Sequence, residues 1–338
     1  MPGPKIAIVG EAWGEHEERQ RAPFVGPAGY ELTKMLGEAG IHRADCFLTN
    51  VFNLRPRPTN DIENLCSKER QGNFPPLKAG RYLRAEFNSE VQRLIRELTD
   101  LRPNITIALG NTAAWALLGN TGISKIRGTV TDSTAIRGLK VLPTFHPAAI
   151  LRQWDLRAVT VLDLGKAARE SAFPEIRRPE RTIYIDPSLS DLEWYYDKFL
   201  RNATRIAFDI ETAGQQITCI GFSPEPSSAI VIPFVDPRKE GGSYWPNQSD
   251  ELHAWAYVRK VLDHPAPKVA QNGLYDIHFL WRAYGIVVRN FEDDTMLLHH
   301  ALQPESEKGL AFLGSVYTNE ASWKLMRTRG KTTIKRDE

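Results

Sequence analysis

Three side chains far apart in this chain have the types needed to hold and release a flat pyrimidine. Phe24, in Pro23-Phe24-Val25-Gly26, offers a stacking face. Asn50 carries a carboxamide that can donate to O4 of uracil and accept from its N3–H, the reverse of what cytosine presents. His146, followed by Pro147, can donate to O2, where negative charge builds as the bond from base to sugar stretches. Glu11 or Glu17 could orient a water beneath the sugar. Ile150, Leu151 and Arg152 could wedge into the space that a flipped base vacates. A second constellation lies in the other half. Asp209 and Glu211 stand two apart on a strand-like run, so both carboxylates point to one face and repel unless a cation separates them. Asp276, four residues after Asn272, could complete the set. Such oxygen ligands suit Mg2+ or Mn2+, and two ions about 4 Å apart can activate water for phosphodiester hydrolysis.

These residues need elements to place them. Strand-like runs fall at Ile6–Val9, Cys46–Asn50, Ile105–Leu109 and Val141–Thr144, and helical patterns at Ala28–Ala39, Tyr82–Leu101, Thr112–Leu118 and Trp154–Ser171. Strand and helix alternating in this way predict an α/β fold with a parallel sheet covered on both faces. Ligands bind such sheets at the carboxyl ends of the strands. Gly10 and Glu11 follow the first strand, Asn50 ends the second, Gly110 and Asn111 follow the third, and His146 follows the fourth. Singly, Phe24 would be a core side chain, Asn50 a turn residue and Glu15–Glu18 a solvated run; their shared position at strand ends sets them apart.

Residues 172–182, with two prolines and no period, predict a linker, giving a first domain over 1–172 and a second over 183–338. The second is expected to have strands at Thr182–Ile185, Arg205–Ile210, Ile217–Ser223 and Ala229–Pro233, running as a meander after Phe208, then helices at Asp250–Leu262 and Tyr275–Tyr284. Phe208 and Ile210 argue against a freely exposed strand around Asp209.

Length and composition suit two globular domains, each with its own core. The net charge of +2 excludes a uniformly basic nucleic-acid glove, so DNA contact must come from local groups: Arg55 with Arg57, Lys125 with Arg127, Arg152 with Arg157, and Arg177 and Arg178 with Arg181. Cys46, Cys66 and Cys219 have no paired spacing, which predicts a reducing compartment without a disulfide framework or cysteine-built zinc site. No apolar run approaches the roughly 18 residues of a membrane span, and the first strand begins at once; a cytoplasmic protein of a bacterium or phage-infected host is expected.

Residues 5 to about 160 resemble the uracil-DNA glycosylase superfamily, family 4 and its phage relatives. The segments that carry this are Gly10-Glu11-Ala12-Trp13-Gly14, Pro23-Phe24-Val25-Gly26-Pro27-Ala28-Gly29, Thr49-Asn50-Val51, Ala108-Leu109-Gly110-Asn111 and His146-Pro147-Ala148. The resemblance implies a three-layer αβα domain that flips a base out of DNA. It implies uracil stacking by Phe24, edge recognition by Asn50, leaving-group stabilisation by His146, a water-side role for Glu11, and a pocket lined by Gly10, Ala12, Trp13, Gly110 and Asn111. Trp13 stands where proline is usual, and the four cysteines of the family's iron–sulfur cluster are not matched, so no cluster is expected. Residues 183 to 325 resemble the DEDD 3′–5′ exonucleases, in particular the proofreading domain of family A DNA polymerases, through Phe208-Asp209-Ile210-Glu211-Thr212 and Asn272-Gly273-Leu274-Tyr275-Asp276. That implies a ribonuclease H-like mixed sheet, Mg2+ or Mn2+ at Asp209, Glu211 and Asp276, and a DNA contact by Asn272. Asp294 is expected to cap a helix, and the family's third motif, Tyr-x-x-x-Asp, is missing ahead of the basic Arg327–Arg336 tail.

The leading expectation is a phage-type uracil-DNA glycosylase joined to an incomplete exonuclease. The rival is the front of a phage family A polymerase whose first domain reads DNA or uracil without catalysis, with a polymerase module as partner. A mononucleotide-binding α/β protein is weaker, because no G-x-x-x-x-G-K loop is present.

Overall fold

The computed structural model describes residues 3–320. The described residues form two compact units: those up to Arg178 together with Ala311–Glu320, and Pro179–Leu310. The first contains β1 (Ile6–Ala12), α1 (Glu15–Gln20), α2 (Pro27–Glu38), β2 (Cys46–Phe52), β3 (Cys66–Ser67), β4 (Tyr82–Leu83), α3 (Asn88–Leu101), β5 (Ile105–Leu109), α4 (Gly110–Leu118), α5 (Ile123–Ile126), β6 (Thr131–Asp132), β7 (Lys140–Thr144), α6 (Pro147–Ile150) and α7 (Leu156–Glu170). The second contains β8 (Thr182–Tyr184), α8 (Leu189–Tyr195) with a π-helical turn at Tyr196–Leu200, β9 (Ile206–Ala213), β10 (Gln216–Glu225), β11 (Ser228–Pro233), α9 (Gln248–Leu262), β12 (Lys268–Ala270), α10 (Leu274–Tyr284), β13 (Phe291–Asp294) and α11 (Thr295–Leu302). The last described helix is α12 (Leu310–Tyr317).

The first sheet has the order β2-β1-β5-β7-β6. Its four long strands pair in parallel, and only the two-residue edge β6 runs antiparallel. Alternate residues of β1 feed two cores. Ala7 and Val9 join Leu94 and Leu98 of α3 and Trp115 of α4, whereas Ile6 and Ile8 join Leu32 and Leu36 of α2 and Leu164 of α7. This is the expected three-layer αβα arrangement. Helix α2 forms because Gly26 caps it, Pro27 opens it, and Leu32, Met35 and Leu36 recur on one face. Each such fully buried side chain contributes about 1.5–3 kcal/mol.

Three local expectations differ from the structure. Helix α3 begins at Asn88 rather than Tyr82, because Tyr82 and Leu83 pair with Ser67 and Cys66 as a small ribbon. The acidic run after Gly14 forms α1. Residues 173–178 stay with the first unit: Lys140, buried, donates to the carbonyls of Phe173 and Glu175, and Arg178 donates to that of Val130.

The second sheet is mixed, in the order β13-β12-β9-β10-β11-β8. The β9–β10–β11 meander is antiparallel, and β12 and β13 add in parallel beyond β9. Those two short strands carry no strong alternation and were not expected from sequence.

The domain boundary also differs from the expected 183–338. The segment from Ala311 belongs with the first unit. Arg127 pairs with Asp163, both almost wholly buried, and also donates to Ser315 Oγ. Lys166 Nζ donates to the carbonyls of Gly128, Ser315 and Thr318 at 2.7, 2.9 and 2.5 Å. Asn319 donates to Glu170. Buried charges must find partners, and here part of that set comes from the far end of the sequence.

Candidate active site

The carboxyl ends of β1, β2, β5 and β7 open onto a cavity of about 640 Å3 whose lining includes Glu11, Trp13, Phe24, Asn50, Gly110 and His146. The three residues chosen for base recognition therefore share one cavity. Asn50 is 2% exposed at the end of β2, where Arg93 donates to its backbone carbonyl at 2.8 Å. Its carboxamide makes no hydrogen bond among the described residues, so it is placed and still free to bind. Gly10 lies behind it. A Cβ there would stand 2.3 Å from Asn50 Oδ1 and 2.6 Å from Phe24 Cζ, so Gly10 shapes the wall rather than touching a ligand. Phe24 adopts a left-handed φ of 56°, costly for an aromatic residue. Arg43 holds it there by donating to the carbonyls of Pro23 and Phe24. Gly29 permits it, since a Cβ at 29 would lie 1.9 Å from the Phe24 carbonyl oxygen. The Phe24 and His146 rings lie 6.3 Å apart and tilted by 32°, leaving a slot between a stacking face and a donor.

His146 caps α6. Its Nδ1 accepts the N–H of Ala148 at 3.1 Å, which assigns the ring hydrogen to Nε2. Burial, with Arg152 nearby, holds its pKa down at about 4. The imidazole is therefore neutral near pH 7 and still a donor, the state suited to a base leaving with negative charge.

The two glutamates separate cleanly. Glu17 is not a water holder: its Oε1 accepts from Val25 and Gly26 N–H at 3.0 and 2.8 Å, and its Oε2 accepts from Gly14 N–H. It braces the Phe24 loop. Glu11 lines the cavity, and its Oε2 accepts from Thr112 Oγ1 at 2.5 Å. Burial pushes its carboxyl above the usual range. Ala12 and Trp13 line the cavity too, and the Trp13 Nε1–H is buried without a partner among the described residues. Gly110 has a φ of 82° and approaches His146 closely. Asn111 lines the cavity, but its Oδ1 is taken by the N–H groups of Gly122 and Ile123, so it ties the α5 loop rather than reading a base.

On the expected DNA face, Ile150 is a correction: it is 0% exposed and packed in the core of α2 and α7, because its position on α6 points inward. Leu151 is 50% exposed, and Arg152 lies at the cavity rim. Several expected basic contacts are occupied. Arg127 is buried, Arg157 pairs with Glu31 and Glu38, and Arg57 pairs with Glu18. Sequence reasoning missed Arg43, which nothing local links to Phe24, and Thr112, whose only sign was its place just after Gly110-Asn111.

In the second unit Phe208 and Ile210 face the core, and Asp209 and Glu211 the other, exposed side of β9. The flanking apolar residues thus do not shield Asp209, which is a correction. Desolvation and the neighbouring Asp276 and Glu211 carboxylates raise Asp209 to about 6. One oxygen of Asp276 is engaged: its Oδ1 accepts the Ile210 N–H at 2.9 Å. Among the described residues no group of three His, Cys, Asp or Glu could hold a metal ion. Glu211 and Asp276 are nonetheless near enough to raise the Asp209 carboxyl, and oxygen donors of this type are those that would hold Mg2+ or Mn2+. Asp294 does cap α11, accepting from Met296 N–H, and also grips Asn272 and Gly273 N–H at 3.0 and 2.8 Å. Asn272 sits at a φ of 58° in that turn. The position expected for the third motif and the basic tail lie outside the described residues. Among the described residues no helix is long and apolar enough to cross a membrane.

The sequence profile of the uracil DNA glycosylase superfamily matches residues 1–176, and that of a 3′–5′ exonuclease family matches 189–334. The type-4 uracil-DNA glycosylase of Thermotoga maritima is 34% identical over 171 residues, 48% of this chain and 76% of that protein. The DNA polymerase of Bacillus phage SP01 is 25% identical over 329 residues, 87% of this chain but 32% of the polymerase. Among solved structures, Brucella melitensis NrnC aligns at 18% identity with a TM-score of 0.29, over 43% of this chain and 63% of that one, too slight a likeness to carry an argument.

Proposed function

Over residues 1–176 the chain belongs to the uracil DNA glycosylase superfamily, and from that premise we propose that its first unit removes uracil from DNA by hydrolysing the N-glycosidic bond. The observation that carries this reading is the convergence of Phe24, Asn50 and His146 on one cavity, with His146 held as a neutral donor. A flipped uracil stacks on Phe24, and its O4 and N3–H meet the Asn50 carboxamide. As the glycosidic bond lengthens, charge collects on O2, to which the Nε2–H of a neutral His146 donates. Glu11 accepts a hydrogen from the attacking water. Exposed Leu151 enters the gap in the stack, and Arg152 meets a phosphate beside it.

Incubation with a uracil-containing oligonucleotide followed by alkali should cut at the uracil. Asn50→Ala and His146→Ala should each slow excision by about 100-fold or more. No cleavage by wild-type protein at enzyme excess would remove the proposal. The phage polymerase likeness makes a polymerase module the partner to seek, and any Mg2+- or Mn2+-dependent trimming by the second unit requires an acid beyond the described set.

A further inference from the structure

Thr112 does not line the cavity and is 3% exposed, yet it touches a residue that does line it. Its Oγ1 donates to Oε2 of Glu11 across a long stretch of sequence. Glu11 Oε1 has no hydrogen-bond partner among the described residues. We propose that Thr112 is the positioning residue for the water-holding carboxylate: by occupying Oε2 it fixes the Glu11 side chain and leaves Oε1 as the acceptor for the attacking water. This inference rests on the reading of the cavity as a uracil-excising site.

The surroundings support it. Thr112 lies in the first turn of α4, whose unpaired amides favour negative charge beside them. The charged groups around Glu11 are few. Asp61, between β2 and β3, and Lys78, between β3 and β4, are paired with each other at 2.6 Å, so they largely offset one another. Arg152 lies beyond α6 and faces both Glu11 and His146, with Glu17 on the far side of His146. Burial raises the Glu11 pKa, and the Thr112 hydrogen bond is the largest influence opposing it. The carboxylate, not the acid, must take a hydrogen from water. Excision should therefore fall off on acidification as Glu11 protonates, and loss of the hydroxyl should move that fall to higher pH.

The experiment compares wild type, Thr112→Val, Thr112→Ser, Glu11→Gln and the Thr112→Val/Glu11→Gln pair in single-turnover excision across pH, with thermal melts as a folding control. Isotope-edited infrared titration of the Glu11 carboxyl is run in parallel and needs no catalysis. Thr112→Val should slow excision about tenfold on the plateau and shift its acid limb upward, and Thr112→Ser should restore both. The infrared titration should move the same way, and the valine change should add nothing in the Glu11→Gln background. An unmoved infrared titration or acid limb in folded Thr112→Val overturns the inference, as do additive effects in the pair. Wild-type protein that excises no uracil overturns the function and this role with it, whereas active wild type with an indifferent Thr112→Val overturns this role alone.

Discussion

At Asp209 the local electrostatics run against the fold. The carboxyl is raised to about 6 by desolvation and by Asp276 and Glu211. A carboxyl with a raised folded pKa binds more protons folded than unfolded between its unfolded value and that pKa. Stability therefore falls as pH rises through the window from the ordinary aspartate value of 3.8 to about 6. Asp209→Asn should raise the melting temperature at pH 7 and have no such effect below pH 3.8, which melts across pH will read out. The sign is opposite at His146, whose depressed pKa makes the folded chain refuse a proton that the unfolded chain accepts. Residue types and their order were enough to pick out Phe24, Asn50 and His146: Asn50 lies toward the carboxyl end of β2 and His146 just after β7, while Phe24 sits in the loop that opens α2. They were not enough to separate Glu11 from Glu17. That distinction rests on which backbone amides the carboxylates meet, and a sequence does not state it.

Among the elements, α1 shows how a solvated-looking charge run can govern a pocket. It places Glu17 so that one carboxylate takes three N–H groups, two of them in the Phe24 loop. Glu17→Ala should free that loop and misplace the stacking ring, lowering kcat/KM for uracil excision by about 100-fold with only a small drop in melting temperature. Steady-state kinetics beside a thermal melt separates the two effects; a large loss of stability with unchanged kinetics would reject the bracing role. The long strands and α2 were legible because their apolar residues keep the period of a buried strand or an amphipathic helix. β12 and β13 were not. Each is three or four residues long and is set by its neighbour, β12 pairing along the edge of β9 and β13 along the edge of β12. Ile150 was misplaced for a related reason: a four-residue helix is too short to show which of its faces is buried.

Across the whole molecule, the first unit is closed by residues that follow the second. Without α12 and Thr318, Arg127 would lose Ser315, and Lys166 would lose two of its three carbonyls while remaining buried beside Asp163 and Arg127. A chain ending at Leu310 should therefore lose on the order of 3–5 kcal/mol from the first unit, about 10 °C in melting temperature. Lys166→Met in that shortened chain should recover part of the loss, since it removes a buried cation with too few partners. An equal melting temperature with and without the segment would contradict this account. No pattern in the sequence announces the contact, because an apolar helix of eight residues says nothing about where it docks.

The return of the chain also sets an order of events during synthesis. The ribosome completes the sheet and the uracil pocket at about residue 150, then makes more than 130 further residues before Ser315 emerges. At roughly 5–20 residues per second that is a delay of about ten seconds or more. Throughout it, Arg127 has Asp163 but not Ser315, and Lys166 has Gly128 but not Ser315 or Thr318, so the part of the enzyme that is translated first is among the last to mature.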